Sequence, residues 1–290
     1  MRRVLITGAS GLVGRHLVTL LAGEVELYVA GRMSGARAKG EFHALDLASD
    51  FDTEDLPSRI DSVVYLAQSD HFRAFPERAD DVFTVNVAAP MRLLDYARRA
   101  GARQFIYASS GAVYRSSAQP LGEGAAVGSQ GELGFYAATK LAAELLAQSY
   151  SGVLDVVLLR FFFVYGVGQK AQMLIPRLIE SVRSGTPVHL QGEDGISLNP
   201  IVASEAAQSV VAALGLTGSH TINVAGPEVV SIRRLCEEIG HCVGCDPAFI
   251  VADPASDLVA DIGEMRRLLL VPTRSFAGEV LSLCSDPPKS

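Results

Sequence analysis

The feature that most constrains the fold is a glycine-rich segment near the start of the chain, residues 7–14. It follows the apolar run Val4-Leu5-Ile6 and opens an amphipathic stretch that predicts a helix over residues 11–22. Between a strand and a helix, Gly8 permits a tight turn, Gly11 lets the backbone approach a diphosphate, and Gly14 lets the helix pack closely. The residues predicted to hold that diphosphate on free N–H groups are Gly8, Ala9, Ser10, Gly11, Leu12, Val13 and Gly14. The alternative is a turn that binds nothing.

Short apolar runs alternate with amphipathic stretches through the first half of the chain. Strands are predicted at residues 4–6, 26–30, 42–45, 62–67, 104–108 and 153–163, and helices at 11–22, 82–101 and 136–150. This alternation is typical of an α/β fold with a parallel, doubly wound, Rossmann-like sheet covered by helices on both faces. After Gly166 the pattern loosens into a smaller C-terminal α/β lobe, and the tail from Ser275 onwards is expected to fray.

Length and charge limit the possible functions. The 290 residues suffice for one large α/β domain, or one domain with a small lobe. The net charge of -7, with no Lys/Arg-rich block, argues against nucleic acid as a partner. The first apolar run stops at Thr7, too early for a secretion signal, and the longest run, Val156 to Tyr165, contains Arg160. No membrane span is therefore predicted, and a cytoplasmic protein is expected.

The four cysteines are few and lie late in the chain, which suits reduced thiols. Cys242 and Cys245 have C-x-x-C spacing beside His241, and half of a zinc or redox site is one interpretation. Because no second pair of ligands lies at finger-like spacing, we favour a turn after a helix that ends near Gly240, and no metal.

The end of the second strand bears on the choice of cofactor. An acidic residue there would hold the ribose hydroxyls of NAD, but the sequence reads Ala30-Gly31-Arg32. Arg32, with Arg37 nearby, can pair with a 2′-phosphate, so NADP is predicted and NAD is the alternative. Arg32 could instead be a solvated loop residue, or lie flat on adenine with either cofactor.

Tyr136 and Lys140 lie four residues apart on a predicted helix, which puts a phenol and an ammonium on one face. A free tyrosine has a pKa of about 10, and a nearby cation lowers the pKa towards neutrality. Ser109 and Ser110 follow the fifth strand, at the sheet edge where open α/β sheets bind ligands. We predict that Ser110, Tyr136 and Lys140 are catalytic. The alternatives are a half-buried tyrosine, a solvated lysine and turn-forming serines.

Taken together, these motifs resemble the extended short-chain dehydrogenase/reductase superfamily, in its NAD-dependent epimerase/dehydratase branch. The resemblance runs from Val4 to about Leu270. It implies that Asp46 and Leu47 flank adenine and that Asn86 braces the active site. The further residues that it assigns to the dinucleotide are Leu66, Ala67, Gln68, Ala108, Ser109 and Phe163. It assigns the substrate to Ser110, Gly111, Phe163 and Arg177.

The resemblance also implies domains, partners and an assembly. A dinucleotide-binding domain is expected at residues 1–166 with 200–225, and a substrate lobe at 167–199 with 226–290. Most of the branch acts on nucleotide-linked sugars, so the expected activity is hydride transfer at a carbonyl or hydroxyl carbon of such a sugar or a related small molecule. A homodimer is implied, through the helix near residues 82–100 and the Tyr136 helix.

Three departures from the branch modify that expectation. Dehydratases usually carry an acidic pair after residue 110, where this chain has Gly111 and Ala112. Phe163 stands where asparagine is frequent, and Leu198 where an arginine commonly grips the substrate diphosphate. A 4,6-dehydratase is therefore not expected. An epimerase and a ketoreductase stay open, as do a carbonyl reductase for a non-sugar ketone and a non-enzymatic dinucleotide sensor or scaffold.

Overall fold

The computed structural model describes residues 1–32, 39–129 and 131–285. The central sheet has seven parallel strands: β1 (Arg3–Thr7), β2 (Glu26–Gly31), β3 (Glu41–Ala44), β4 (Ser62–Tyr65), β5 (Gln104–Ser110), β6 (Asp155–Phe161) and β11 (His220–Val224). Their spatial order is β11-β6-β5-β4-β1-β2-β3, which contains the doubly wound order 3-2-1-4-5-6. The predicted α/β, Rossmann-like fold is confirmed. Successive strands are added on one side of β1 up to β3 and on its other side from β4 onwards, so the strand order reverses between β1 and β4. In this fold, ligands bind in the crevice at that point, beside the glycine-rich turn.

Helices cover the sheet. They are α1 (Leu12–Leu21), α2 (Ala79–Phe83), α3 (Ala89–Arg99), α4 (Phe135–Gln148) and α6 (Ala203–Ala213), with a π-helical segment, Thr84–Ala88, between α2 and α3 and a 3₁₀ turn, Gly111–Val113, after β5. Leu93 and Leu94 of α3 and Ala143 and Ala147 of α4 belong to one buried cluster with sheet residues. Because both faces of β1 are covered, Val4-Leu5-Ile6 is fully buried, as the continuous apolar run indicates.

The remaining elements are β7 (Val164–Tyr165), α5 (Leu174–Ser184), β8 (Val188–Gln191), β9 (Ser197–Leu198), β10 (Ile201–Val202), β12 (Val230–Ser231), α7 (Ile232–Val243), β13 (Phe249–Ala252), α8 (Gly263–Leu268) and α9 (Phe276–Ser285). Ser231 caps α7, since its hydroxyl accepts from the Arg234 N–H. This helix ends three residues later than predicted, at Val243, where Gly244 takes a left-handed conformation. Among the residues described, no helix is long and apolar enough to cross a bilayer.

The tail was predicted to fray, and for residues 276–285 this is wrong. These residues form α9, which buries Phe276, Val280 and Leu283. Spacings of four and three residues put these side chains on one helix face, and they join a cluster with α5 and α7. Burial of that face stabilises the helix despite the Ser and Pro residues around it.

The described chain divides into two compact units. Of the described residues, the first comprises 1–32, 39–115, 126–129, 131–160 and 207–222, and the second comprises 116–125, 161–206 and 223–285. The predicted domains instead placed four of these segments with the dinucleotide-binding part, namely 116–125, 161–166, 200–206 and 223–225. The boundaries of functional domains stay a prediction. The second unit has its own core around Leu178, Leu235 and Leu283.

Two glycines fix the turn between β1 and α1. Gly8 has a φ of +73°, and a Cβ there would lie 2.6 Å from the backbone nitrogen of Ala67. At Gly14 a Cβ would lie 2.2 Å from the carbonyl oxygen of Gly8. Both contacts are with backbone atoms, which cannot move aside as a flexible side chain can. The geometry therefore agrees with the predicted roles, a tight turn at Gly8 and close packing of the helix at Gly14.

We expect Gly8→Ala to lower the free energy of unfolding by at least about 3 kcal/mol, because it combines left-handed strain with a backbone clash. Gly23 is a matched control with a φ of +87° and nothing within 4 Å of its added Cβ. Gly23→Ala should cost only the strain, about 1 kcal/mol. Urea denaturation measures both, and equal losses would contradict the clash.

Candidate active site

The glycine turn between β1 and α1 forms an open cradle of backbone groups. Gly11 is the N-cap of α1 and has no side chain to cap the helix. The first N–H groups of α1 can therefore donate to an anion. At the end of β1, the hydroxyl of Thr7 is buried and has no hydrogen-bond partner within the described part of the chain. A dinucleotide diphosphate fits this chemistry, because it brings acceptors to a place where a Cβ would block approach.

Tyr136 is the second residue of α4. Its hydroxyl donates to Gln68 Oε1 at 3.0 Å, and its ring meets the edge of Phe72 with centroids 5.3 Å apart. Burial raises the pKa of Tyr136 to about 12, while a hydrogen bond with Ser110 acts in the opposite direction. The phenol is therefore protonated at neutral pH, with its single hydrogen directed to Gln68.

Lys140 lies one turn further along α4 and is 2% exposed. Its ammonium donates to the carbonyl oxygen of Ala108 at 2.8 Å and lies 4.9 Å from the centre of the Tyr107 ring. Burial lowers the pKa of Lys140 to about 7, against a raising influence from Glu144. The prediction that Lys140 lowers the pKa of Tyr136 is wrong for this structure, because burial and Ser110 govern that pKa and the Lys140 charge is itself disfavoured.

The two serines that end β5 have different environments. Ser110 caps the 3₁₀ turn, since its hydroxyl accepts from the Ala112 N–H at 3.2 Å. That leaves the Ser110 hydrogen available for the phenol oxygen of Tyr136. Ser109 is buried, and its hydroxyl has no partner among the residues described. Both lie at the carboxyl end of a central strand, where the sequence placed them.

Asn86 lies in the π-helical segment and connects three elements. Its side-chain oxygen accepts from the Ser69 N–H at 3.4 Å, and its amide nitrogen donates to the Thr139 hydroxyl at 3.1 Å. Thr139 in turn donates to the Tyr136 carbonyl at 2.7 Å. The backbone of α4 at Tyr136 is thereby held to the π-helical segment, which is what a bracing residue would do.

A buried ion pair links α4 to β6. Arg160 of β6 contacts Glu144 of α4 through Nε–Oε1 and Nη2–Oε2 distances of 2.9 and 2.6 Å. The guanidinium also lies 4.6 Å from the centre of the Tyr114 ring. The sequence reading missed Glu144, although an acid one turn after Lys140 on the apolar side of a helix was a usable signal.

The residues expected around the dinucleotide lie as follows. Arg32 pairs with Asp70 at 3.0 Å, and both side chains are substantially exposed. Asp46 is exposed, and its carboxylate accepts from the Ala48 N–H at 3.1 Å, as in a turn. The apolar residues Leu47 and Ala67 are buried, whereas Leu66 is half-buried. Arg37 lies outside the described residues.

Phe163 and Arg177 belong to the second compact unit, and Tyr136 belongs to the first. Phe163 has a φ of +44°, a left-handed conformation that costs a side chain of this kind about 1–2 kcal/mol. Asparagine adopts it more readily, which agrees with the frequent asparagine at this place in the branch. Arg177 is exposed on α5, and Leu198 is fully buried in its own unit.

The glycine turn, the sheet order and the Tyr136/Lys140 pair define an enzyme of the extended short-chain dehydrogenase/reductase type. A family model described as the NAD dependent epimerase/dehydratase family matches residues 4–225. The chain belongs to this family.

Similar proteins agree with the assignment. The chain is 26% identical to an uncharacterized UDP-glucose epimerase, YtcB, of Bacillus subtilis, with 92% of each chain covered. The structure of MoeE5 in complex with UDP-glucose and NAD is 26% identical, with a TM-score of 0.82 over 98% of this chain and 97% of that one. The UDP-glucuronic acid 4-epimerase of Bacillus cereus, at 24% identity and a TM-score of 0.85 over 98% of each chain, shares the fold. These relatives do not favour the carbonyl-reductase or sensor alternatives.

The lowered pKa of Lys140 predicts how the stability of the protein depends on pH. This folded-state pKa of about 7 lies below the ordinary 10.5, so between those values the unfolded chain binds more protons. The penalty for burying Lys140 is therefore full near pH 7 and vanishes towards pH 10.5. We expect Lys140→Met to raise the unfolding midpoint near pH 7, with a gain that shrinks as the pH rises. Lys170→Met, at an exposed lysine, is the control. A gain that did not depend on pH would contradict the lowered pKa.

Proposed function

We propose that this enzyme epimerises a hydroxyl-bearing carbon of a UDP-linked hexose, with a nicotinamide dinucleotide held at the glycine turn. The observation that carries the proposal is the arrangement of Ser110, Tyr136 and Lys140 at the carboxyl end of β5, two strands from that turn. Relatives named as a UDP-glucose epimerase and a UDP-glucuronate 4-epimerase support the substrate class.

The protein residues would handle the proton. A bound nicotinamide supplies the chemistry of accepting a hydride from the sugar carbon and returning it to the other face. During oxidation Tyr136 takes the hydroxyl proton, and during reduction it returns that proton to the carbonyl oxygen, so no net redox change results. Ser110 donates to the same oxygen and orients it. The first half needs Tyr136 as the phenolate. Lys140 holds α4, and with it the phenol oxygen, at the carboxyl end of β5 through the Ala108 carbonyl oxygen.

One feature of the chain favours epimerisation over dehydration within the family. Gly111 and Ala112 stand where a dehydratase would carry an acidic pair, so the chain offers no acid there for loss of water. An epimerase regenerates its cofactor in each cycle and retains it, whereas a ketoreductase must release it. Nicotinamide absorbance in the purified protein separates the two, and its complete absence would favour the ketoreductase.

NADP was the first prediction for the cofactor and NAD the alternative. Arg32 and the missing acid at the end of β2 support NADP. Support for NAD comes from the similar structure solved with NAD and from the ion pair that already engages Arg32. The proposal covers both dinucleotides in a cytoplasmic enzyme, where nucleotide-linked sugars and reduced cysteines are both expected.

We expect Tyr136→Phe to lower turnover of UDP-glucose or UDP-glucuronate at least about 100-fold, because general acid–base catalysis contributes at least that much. Dinucleotide affinity should stay nearly unchanged. Tyr150→Phe, at a half-buried tyrosine two residues beyond α4, should retain full activity. Chromatographic separation of the epimers measures turnover. Full activity in Tyr136→Phe would contradict the role of the phenol, and no epimer from the wild-type protein would contradict the substrate class.

We also propose a homodimer formed through α4 and the helical run near residues 82–100, which extends from the end of α2 through α3. Phe83, Leu145 and Leu146 on these helices are 51%, 60% and 45% exposed. Apolar side chains of this size on neighbouring helices are typical of an interface that a second copy covers.

Leu145→Glu should convert the dimer to a monomer, because it would bury a charge without a partner at the interface. Leu281→Glu is the matched control, since Leu281 is 68% exposed on α9. Light scattering after size exclusion gives the mass. A wild-type monomer, or an unchanged dimer in Leu145→Glu, would contradict the proposed interface.

A further inference from the structure

The Arg32–Asp70 ion pair spans the carboxyl end of β1. In the sheet, Thr7 pairs with Ala30 of β2 on one side and with Tyr65 of β4 on the other. Arg32 follows β2 and Asp70 follows β4, so the two residues approach from opposite sides of the strand that leads into the glycine turn. Strands on either side of a third are about 10 Å apart, and only a long side chain covers that distance.

The pair joins the two loops that border the proposed cofactor site. Arg32 Nη2 and Asp70 Oδ2 are 3.0 Å apart, with side chains 66% and 46% exposed. A single exposed pair of this kind contributes about 0–1 kcal/mol to stability. The effect of the pair on ligand binding does not depend on that small contribution to stability, because the pair sets the local charge beside a bound dinucleotide.

We infer that Asp70 makes this chain select NAD over NADP, although Arg32 occupies the position that commonly favours NADP. The inference rests on the proposed function, which places a dinucleotide at the glycine turn. Asp70 neutralises the guanidinium that a 2′-phosphate would need, and its carboxylate repels the phosphate. The ribose hydroxyls of NAD carry no charge, and a carboxylate accepts hydrogen bonds from hydroxyl groups.

Asp70 thus takes over the task of the acid that is missing at the end of β2. It does so from the neighbouring loop, after the Leu66-Ala67-Gln68 segment, rather than from the strand end. A phosphate that paired with Arg32 would have to displace Asp70 and remain beside it. Selectivity then depends on two residues, and removing the acid alone should expose the arginine.

Binding measurements test this without any substrate. Isothermal titration calorimetry gives Kd for NAD and NADP with wild-type protein, Asp70→Asn, Arg32→Ala and the double variant. The wild-type protein should bind NAD more tightly. In Asp70→Asn the affinity for NADP relative to NAD should rise about three- to tenfold, since one nearby like charge is removed and Arg32 becomes available. In the double variant that gain should disappear.

Asp50→Asn is the matched control, because Asp50 is an exposed carboxylate that pairs with Arg92 away from the turn. The inference is overturned by a wild-type preference for NADP, by an unchanged Kd ratio in Asp70→Asn, or by an equal change in the control. A gain that persists in the double variant also overturns it, because Arg32 would then play no part. If neither dinucleotide bound the wild-type protein, the proposed function itself would fail, which is a different result from binding without selectivity.

Discussion

The position of the active site depends on the contact between the Lys140 ammonium and the carbonyl oxygen of Ala108. A buried cation needs a partner, and this one ties α4 to the carboxyl end of β5. The phenol of Tyr136, one helical turn earlier, is thereby brought to the sheet edge beside Ser110. Asn86 and the Glu144–Arg160 pair hold the same helix from two other directions, so a displacement of α4 would break several buried polar contacts at once.

The sequence predicted the parts of the molecule that local constraints determine. A strand, a glycine turn and a helix follow one another in β1 to α1, and Gly8 and Gly14 there face backbone that excludes a side chain. The placement of Tyr136 and Lys140 one helical turn apart follows from helical periodicity alone. Burial on both faces gives the parallel strands unbroken apolar runs, so the sequence predicts the strands without predicting their order in the sheet.

The remainder depends on contacts between residues far apart in the chain. Nothing local links Gln68 to Tyr136, Arg32 to Asp70, or Glu144 to Arg160, yet these pairs determine the charge and protonation of the site. Environment also reversed one expectation, because burial keeps the phenol protonated despite a lysine one turn away. Helix α9 had a readable apolar face, but the Ser and Pro residues near it obscured that signal.

The central claim is that Tyr136 moves only the hydroxyl proton, while the hydrogen on the sugar carbon never enters water. Incubating the enzyme with UDP-glucose that carries deuterium on carbon 4, followed by mass spectrometry of the epimer, tests this directly. The account predicts that the product keeps its deuterium and that no solvent hydrogen replaces it. Loss of the deuterium to water would mean that a base removes that hydrogen as a proton, which would contradict the mechanism.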